Sequence, residues 1–349
     1  MKYLGVEISR EKDGSIVLSQ TKYGLSLKDK LQKVAFPRKR AGELPTPAEI
    51  EFGRSMVACL AWAARCTMPS RTVEVAHLQE EMAKPTVHTI TKIIRLAEAM
   101  EKELEKKGKL RLSSKVDLTK PYVVTYSDAS HGVEGSYKGR TGSVTFLSNE
   151  LCATHEAAAG LVQWASIRIQ RVCRSTLAAE ACALSTAIGE HMLVRRGFQA
   201  LLFGSEPMPL TQDWRKALAV GGAVVLDAKA LFDHLTSTAS TPQDKHTLFD
   251  LLGAKELVNM GVVSIRWVPT IHQHADCLTK ELKEEVDSLR LVIERGTICL
   301  RARNAEEERD EREKAERRRE TRQRGKMKQK EDYKPTDKRN PGGISADWC

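Results

Sequence analysis

The chain has 349 residues, of which 41% are hydrophobic, only 5% aromatic and 29% charged. That composition suits two modest domains better than one large core, with part of the chain left as solvated helix or tail. The formal charge of +10 favours a polyanionic partner such as nucleic acid, with ordinary solubility charge as the plain alternative. Eight cysteines without a CxxC pair argue against a zinc site, and scattered thiols behind a charged N-terminus point to a reducing compartment. A cytoplasmic or nuclear location is therefore expected, not secretion. No stretch reaches the roughly 18 apolar residues of a membrane span, so no membrane partner is expected.

From the start, YLGVEIS and SIVLSQ alternate in polarity around Lys12-Asp13-Gly14, which predicts a β-hairpin from Tyr3 to Gln20. From Pro47 to about Lys107 the pattern turns helical. Ile50, Met56, Leu60 and Ala64 recur at helical spacing, Pro69 interrupts, Val73 to Met82 resumes, and a third helix covers Thr86 to Lys107. Residues 108–120 read as a linker. Strands and helices then alternate as in an α/β sheet: PYVVTYSD, RTGSVTFLS and LVQWASIRI as strands, and a long helix capped by Ser175 and running to about Leu202. A short strand Ala223 to Leu226, helices at Ala228 to Leu235 and about Gln243 to Met260, and the strand VVSIRWVP complete the order β-β-β-α-β-α-α-β. Beyond about Arg301 the chain is highly charged, with no apolar stripe, and predicts a single solvated helix or disorder.

Four carboxylates occupy suggestive places. Asp128 follows the buried-type strand YVVTY, and Asp227 ends the strand AVVL ahead of a helix; a turn residue and an N-cap are their plain readings. Glu180 shares a helix face with Leu177, Ala181, Leu184 and Ile188, so it points into apolar surroundings. Burying a carboxylate costs several kcal/mol unless a cation or hydrogen bonds compensate it, and a salt bridge to an internal arginine is the alternative. Asp276 follows the loop IHQHAD, where it could cap a helix starting at CLTKEL. Strand-end carboxylates cluster where an open α/β sheet presents its loops, and several of them together call for metal neutralisation. Mg²⁺ is the natural occupant because it takes oxygen ligands and keeps its waters, and a pair of such ions suits phosphodiester hydrolysis.

The residues also carry a resemblance. TYSDAS, WASIRIQRVCRSTLAAEACALS, VVLDAKALFDH and WVPTIHQHADCLTKEL resemble the ribonuclease H segment of the Pol polyprotein of copia-type long-terminal-repeat retrotransposons. YLGVEI and CTMPSR…MAKPT resemble the end of that family's reverse transcriptase, so the likeness spans roughly residues 2–285. It implies a ribonuclease H-like mixed five-stranded sheet flanked by helices at 115–285. Before it would come a small β-hairpin plus thumb-like helices, a reverse-transcriptase remnant at 1–110, and after it a charged helical or disordered tail at 300–349.

The resemblance further implies metal-dependent cleavage of the RNA strand of RNA–DNA hybrids. Asp128, Glu180, Asp227 and Asp276 would be both catalytic residues and ligands of two Mg²⁺ ions, with Mn²⁺ as a substitute. Arg168, Gln170, Arg171 and Arg174, between the third strand and the long helix, are placed for phosphate contact, or form a merely solvated basic loop. His272 and His274 are candidate proton shuttles, with an exposed loop histidine as the plain reading. The family's polymerase Asp-Asp pair has no counterpart in the chain, so no polymerase activity is expected, and a reverse-transcriptase polymerase domain is a candidate partner. The alanine at position 228 departs from the family's asparagine. A catalytically silent remnant that only binds nucleic acid or a partner protein is the competing reading. A transposase or integrase predicts different acidic spacing and lacks the LTKEL sequence. The RRRETRQRGKMKQK run reads either as a nucleic-acid-binding or nuclear-localisation patch or as a solvated helix.

Overall fold

Three short antiparallel strands open the chain: β1 (Lys2–Tyr3), β2 (Val6–Arg10) and β3 (Ile16–Ser19). The β2–β3 hairpin turns where the sequence expects it. Gly14 sits at φ +88°, a conformation that suits glycine, and the Asp13 carboxylate accepts from Ser15 N at 3.0 Å. In this computed structural model residues 1–32, 44–107, 109–132, 139–204, 218–236, 242, 244–280 and 283–300 are described. Every described residue belongs to one compact unit, Met1–Arg301. The expected charged tail lies outside the described residues.

Helix α1 (Thr21–Gln32) follows the hairpin. α2 (Pro47–Cys66) begins with a capping box: Glu49 N donates to Thr46 Oγ1 at 3.3 Å and Thr46 N to Glu49 Oε2 at 2.7 Å. The break expected at Pro69 is a 3-10 turn over Pro69–Arg71, after which α3 (Thr72–Glu81) and α4 (Val87–Lys107) continue. Leu27, Met56, Leu60, Ile93, Met100 and Leu104 are fully buried among these four helices. The segment read as a linker contains a strand, β4 (Lys109–Leu112), which pairs with β3 and completes a four-stranded antiparallel sheet. Its four residues, half of them basic, give too short an alternation to register locally, and its partner lies far back in the chain.

The second half forms the expected mixed five-stranded sheet flanked by helices. β5 (Pro121–Ser130) pairs antiparallel with β6 (Arg140–Asn149), which pairs antiparallel with β8 (Gly160–Arg168). On the other side of β5 lie two parallel strands, β9 (Gly221–Leu226) and then β10 (Ser264–Trp267). The order across the sheet is therefore β10-β9-β5-β6-β8. Helix α5 (Thr176–Phe203) lies against the sheet, its Ser175 cap accepting from Ala178 N at 3.1 Å. α6 (Lys229–Thr236) and α7 (Lys245–Asn259) pack beside it, and α8 (Lys283–Arg295) follows β10. The chain then returns so that β11 (Thr297–Ile298) pairs antiparallel with β7 (Ala157–Ala158) as a separate two-stranded sheet. Trp164 Nε1 donates to Ala64 O at 3.0 Å, and buried Arg140 pairs with Glu80, so α2 and α3 are tied to β8 and β6. No described helix is long and apolar enough to cross a membrane.

Candidate metal centre

Three of the four expected acidic side chains converge. Asp128 lies on β5, opposite Gly142 of β6, in the central pair of the sheet. Asp227 follows the end of the parallel neighbour β9, and Glu180 stands in the first turns of α5, the helix that crosses these strands. One carboxylate oxygen from each of Asp128, Glu180 and Asp227 lies within 4.8 Å of the other two. Asp128 and Glu180 are buried, at 2% and 8% exposure, while Asp227 is half-exposed and opens the cluster to solvent. The helical-face argument for Glu180 holds, because Ala181, Leu184 and Ile188 are all core residues.

Electrostatics report the cost of this arrangement. Burial raises the Glu180 carboxyl to about 9, with Asp128 and then Asp227 pushing the same way. Asp128 is held well above the carboxylate range by burial and by the neighbouring Asp276, against the opposing pull of Lys280. Buried acids that repel one another bind a proton or a cation. An all-oxygen set open on one side fits a hard divalent ion that keeps several waters, and Mg²⁺ is such an ion.

Asp276 stands beside the group but outside it. It does not cap a continuous helix. Asp276–Leu278 is a single 3-10 turn without a side-chain cap, and α8 begins only at Lys283. Asp276 is 4% exposed and receives the Lys280 ammonium on Oδ1 at 2.8 Å, while the same Nζ lies 3.8 Å from Asp128 Oδ2. Thr279 Oγ1 donates to Asp128 Oδ2. Gln273 Nε2 donates to Ser127 O at 2.8 Å and reaches Asp227 Oδ1 at 3.4 Å. Trp267 Nε1 donates to Asp227 O at 3.0 Å. Of these supporting residues, Thr279 and Lys280 lie within the CLTKEL motif, and the four-residue step from Asp276 to Lys280 was a readable signal. Gln273 and Trp267 carried none, because their bonds run to strands far away in sequence.

The candidate proton shuttles divide from the centre. The His274 ring packs 4.7 Å from Tyr126 and 6.3 Å from Phe146, between centroids. Burial, with His272 adding to it, lowers its pKa to about 3, and its Nδ1 is a buried atom without a hydrogen-bond partner. The His274 ring is thus packed against aromatic neighbours, with burial disfavouring its charged form. His272 is half-buried in the neighbouring 3-10 turn. The basic loop is partly committed to the protein itself. Arg168 lies 3.4 Å from Glu80, and Arg171 pairs with Asp250. Gln170 and Arg174 are exposed.

No protein-family model and no curated protein matches this sequence. Solved structures similar to part of it are ribonuclease H domains. One is the ribonuclease H1 of the halophilic archaeon Halobacterium salinarum, 21% identical over 48% of this chain and 98% of that one, at a TM-score of 0.29. Another is the N-terminal ribonuclease H domain of a Mycobacterium tuberculosis protein, 16% identical over 50% of this chain and 97% of that one, also at 0.29. A third is LC11 ribonuclease H1, from a compost metagenome, in complex with an RNA/DNA hybrid: 16% identical over 49% and 99% of the two chains, at 0.28. Likenesses this distant bear on no activity. The ribonuclease H-like fold of the second half stands on its own strand order and directions.

Proposed function

We propose that this protein hydrolyses the RNA strand of RNA–DNA hybrids at a metal centre formed by Asp128, Glu180 and Asp227. The convergence of those three carboxylates within 4.8 Å, two of them buried, carries the reading. A divalent metal held there, Mg²⁺ or Mn²⁺, would supply an activated water and charge stabilisation for the leaving oxygen. The chain's own residues hold and orient the carboxylates. Thr279 fixes one Asp128 oxygen, Gln273 links the β5 backbone to Asp227, and Ser175 caps the helix that carries Glu180. The half-exposed Asp227 marks the side from which a scissile phosphate approaches. Arg174 and Gln170, exposed ahead of α5, are suited to backbone contacts, which in hybrid recognition fall on phosphates and 2′-hydroxyls.

The sequence likeness over residues 2–285 supports an origin in a copia-type Pol polyprotein, with residues 1–110 as reverse-transcriptase remnant, 115–285 as the nuclease domain and 300–349 as a separate tail. The separate helical core around Leu60 and Ile93 is compatible with that division. A polymerase domain is then a natural partner, and a cytoplasmic or nuclear location the natural setting. The test is cleavage of an end-labelled RNA–DNA hybrid in Mg²⁺ by the native protein and by Asp128→Asn. We expect cleavage by the first and at least a hundredfold loss in the second. Absence of cleavage by both favours the silent, nucleic-acid-binding remnant and ends the enzyme reading.

A further inference from the structure

The fourth carboxylate already has a cation. Asp276 and Lys280 lie four residues apart on one tight turn, with Lys280 N donating to Asp276 O at 3.0 Å, so the backbone delivers the ammonium back onto the acid. Its Nζ stands 2.8 Å from Asp276 Oδ1 and 3.8 Å from Asp128 Oδ2, spanning the two carboxylates, and its charge also acts on Glu180 and Asp227.

The turn has little freedom to withdraw. Ser166 Oγ of β8 donates to Leu278 O at 2.6 Å, and Thr279 Oγ1 bonds both Asp128 and Asp276 O. Opposite Asp128, a side chain on Gly142 would meet Ala275 O and Leu278 Cβ at 3.0 Å, so the turn rests directly on β6. Charge counting points the same way. Four ionised carboxylates carry −4; Lys280 and one divalent ion bring this to −1, whereas Lys280 and two such ions bring it to +1. A centre that must draw in a phosphodiester tolerates either sum. Only the first, however, leaves Lys280 where the turn holds it, because a divalent ion between Asp128 and Asp276 would face an ammonium within hydrogen-bond reach of its ligand.

We propose that Lys280 is a built-in cation of this centre, spanning Asp128 and Asp276, so that the substrate-free protein takes one divalent ion, at Asp128, Glu180 and Asp227, and not two. The inference rests on the metal-centre reading above and narrows its ion count. Lys280 acts through the carboxylates and is a positioning residue.

The test counts ions. Mn²⁺ is titrated calorimetrically, at fixed pH and without nucleic acid, into the native full chain and into Lys280→Met. We expect one ion per chain for the native protein and two for Lys280→Met. Two ions in the native protein, or one in both, overturn the role given to Lys280 while leaving the metal centre standing. No ion in either protein removes the centre and this inference together. If Lys280→Met fails to fold, as read by its circular dichroism and melting, Lys280→Gln takes its place, and the native count remains decisive. Lys280→Arg, which keeps the charge, should stay at one ion, a result that loss of packing alone would not give.

Discussion

Glu180→Gln should stabilise the metal-free protein above neutral pH, which few substitutions of a buried polar residue would do. In the unfolded chain this carboxyl titrates near its ordinary value of 4.5, and in the folded chain near 9. Between those values the folded state holds a proton that the unfolded state has released, so stability falls as pH rises through the window. At about 1.4 kcal/mol per pH step, the loss reaches roughly 3 kcal/mol at pH 7. It grows until the folded carboxyl itself ionises, and below pH 4.5 it vanishes. A glutamine carries no such dependence. For a folded unit of this size, 1 kcal/mol moves the melting midpoint by about 2–4 °C, so the variant should melt several degrees above the native protein at pH 7.5 and together with it at pH 4.5.

The assay is thermal melting followed by circular dichroism in chelator, at several pH values between 4.5 and 9. Magnesium should then reverse the order, because the ion stabilises only the native carboxylate set and releases the proton that Glu180 held. Native and variant curves that run parallel across the window, or a variant less stable at pH 8, would refute the burial argument for Glu180.

Two further outcomes follow from particular contacts. Arg174→Ala should weaken hybrid binding and reduce the slope of log affinity against log salt by about one contact's worth. Arg171→Ala, whose guanidinium is taken by Asp250, should leave that slope nearly unchanged; filter binding across a salt series distinguishes the two. Gly222→Ala places a methyl 2.6 Å from the His191 ring and 2.9 Å from Val123 O. The ring is itself fixed, with Nδ1 3.0 Å from Thr125 Oγ1, so overpacking should cost about 1–3 kcal/mol in denaturant melts. Gly189→Ala, with nothing within 4 Å of the new methyl on the same long helix, is the control and should stabilise by about 0.5–1 kcal/mol.

Local signals made most of the sheet legible. Alternation and buried runs marked β5, β6, β8 and β9, the serine before a helical run marked the start of α5, and the apolar stripe along α5 told which way Glu180 faces. What stayed hidden depends on partners distant in the chain. β4 is a strand only because Leu18 and Val17 lie beside Leu110 and Arg111. The plain alternative for Asp276, a helix cap, rested on an acid standing before a polar-apolar run. The turn that stops the helix is fixed by Ser166 and Gly142, residues more than a hundred positions earlier. His274 resembled a loop histidine, and only the rings of Tyr126 and Phe146 reveal it as packing.

The pairing of β7 with β11 has a consequence for biosynthesis. Ala159 N donates to Gly296 O at 2.8 Å and Leu300 N to Cys152 O at 2.6 Å, so the residues around β7 wait for partners made some 140 positions later. The clustered carboxylates Asp128, Glu180 and Asp227 are all translated before that pairing can occur. A nascent chain on the ribosome would therefore carry its acidic cluster before the small β7–β11 sheet can form, and such long-range pairing is slow. The pairing of the short β11 strand therefore ties the region around β7 to a segment made well after the rest of the domain.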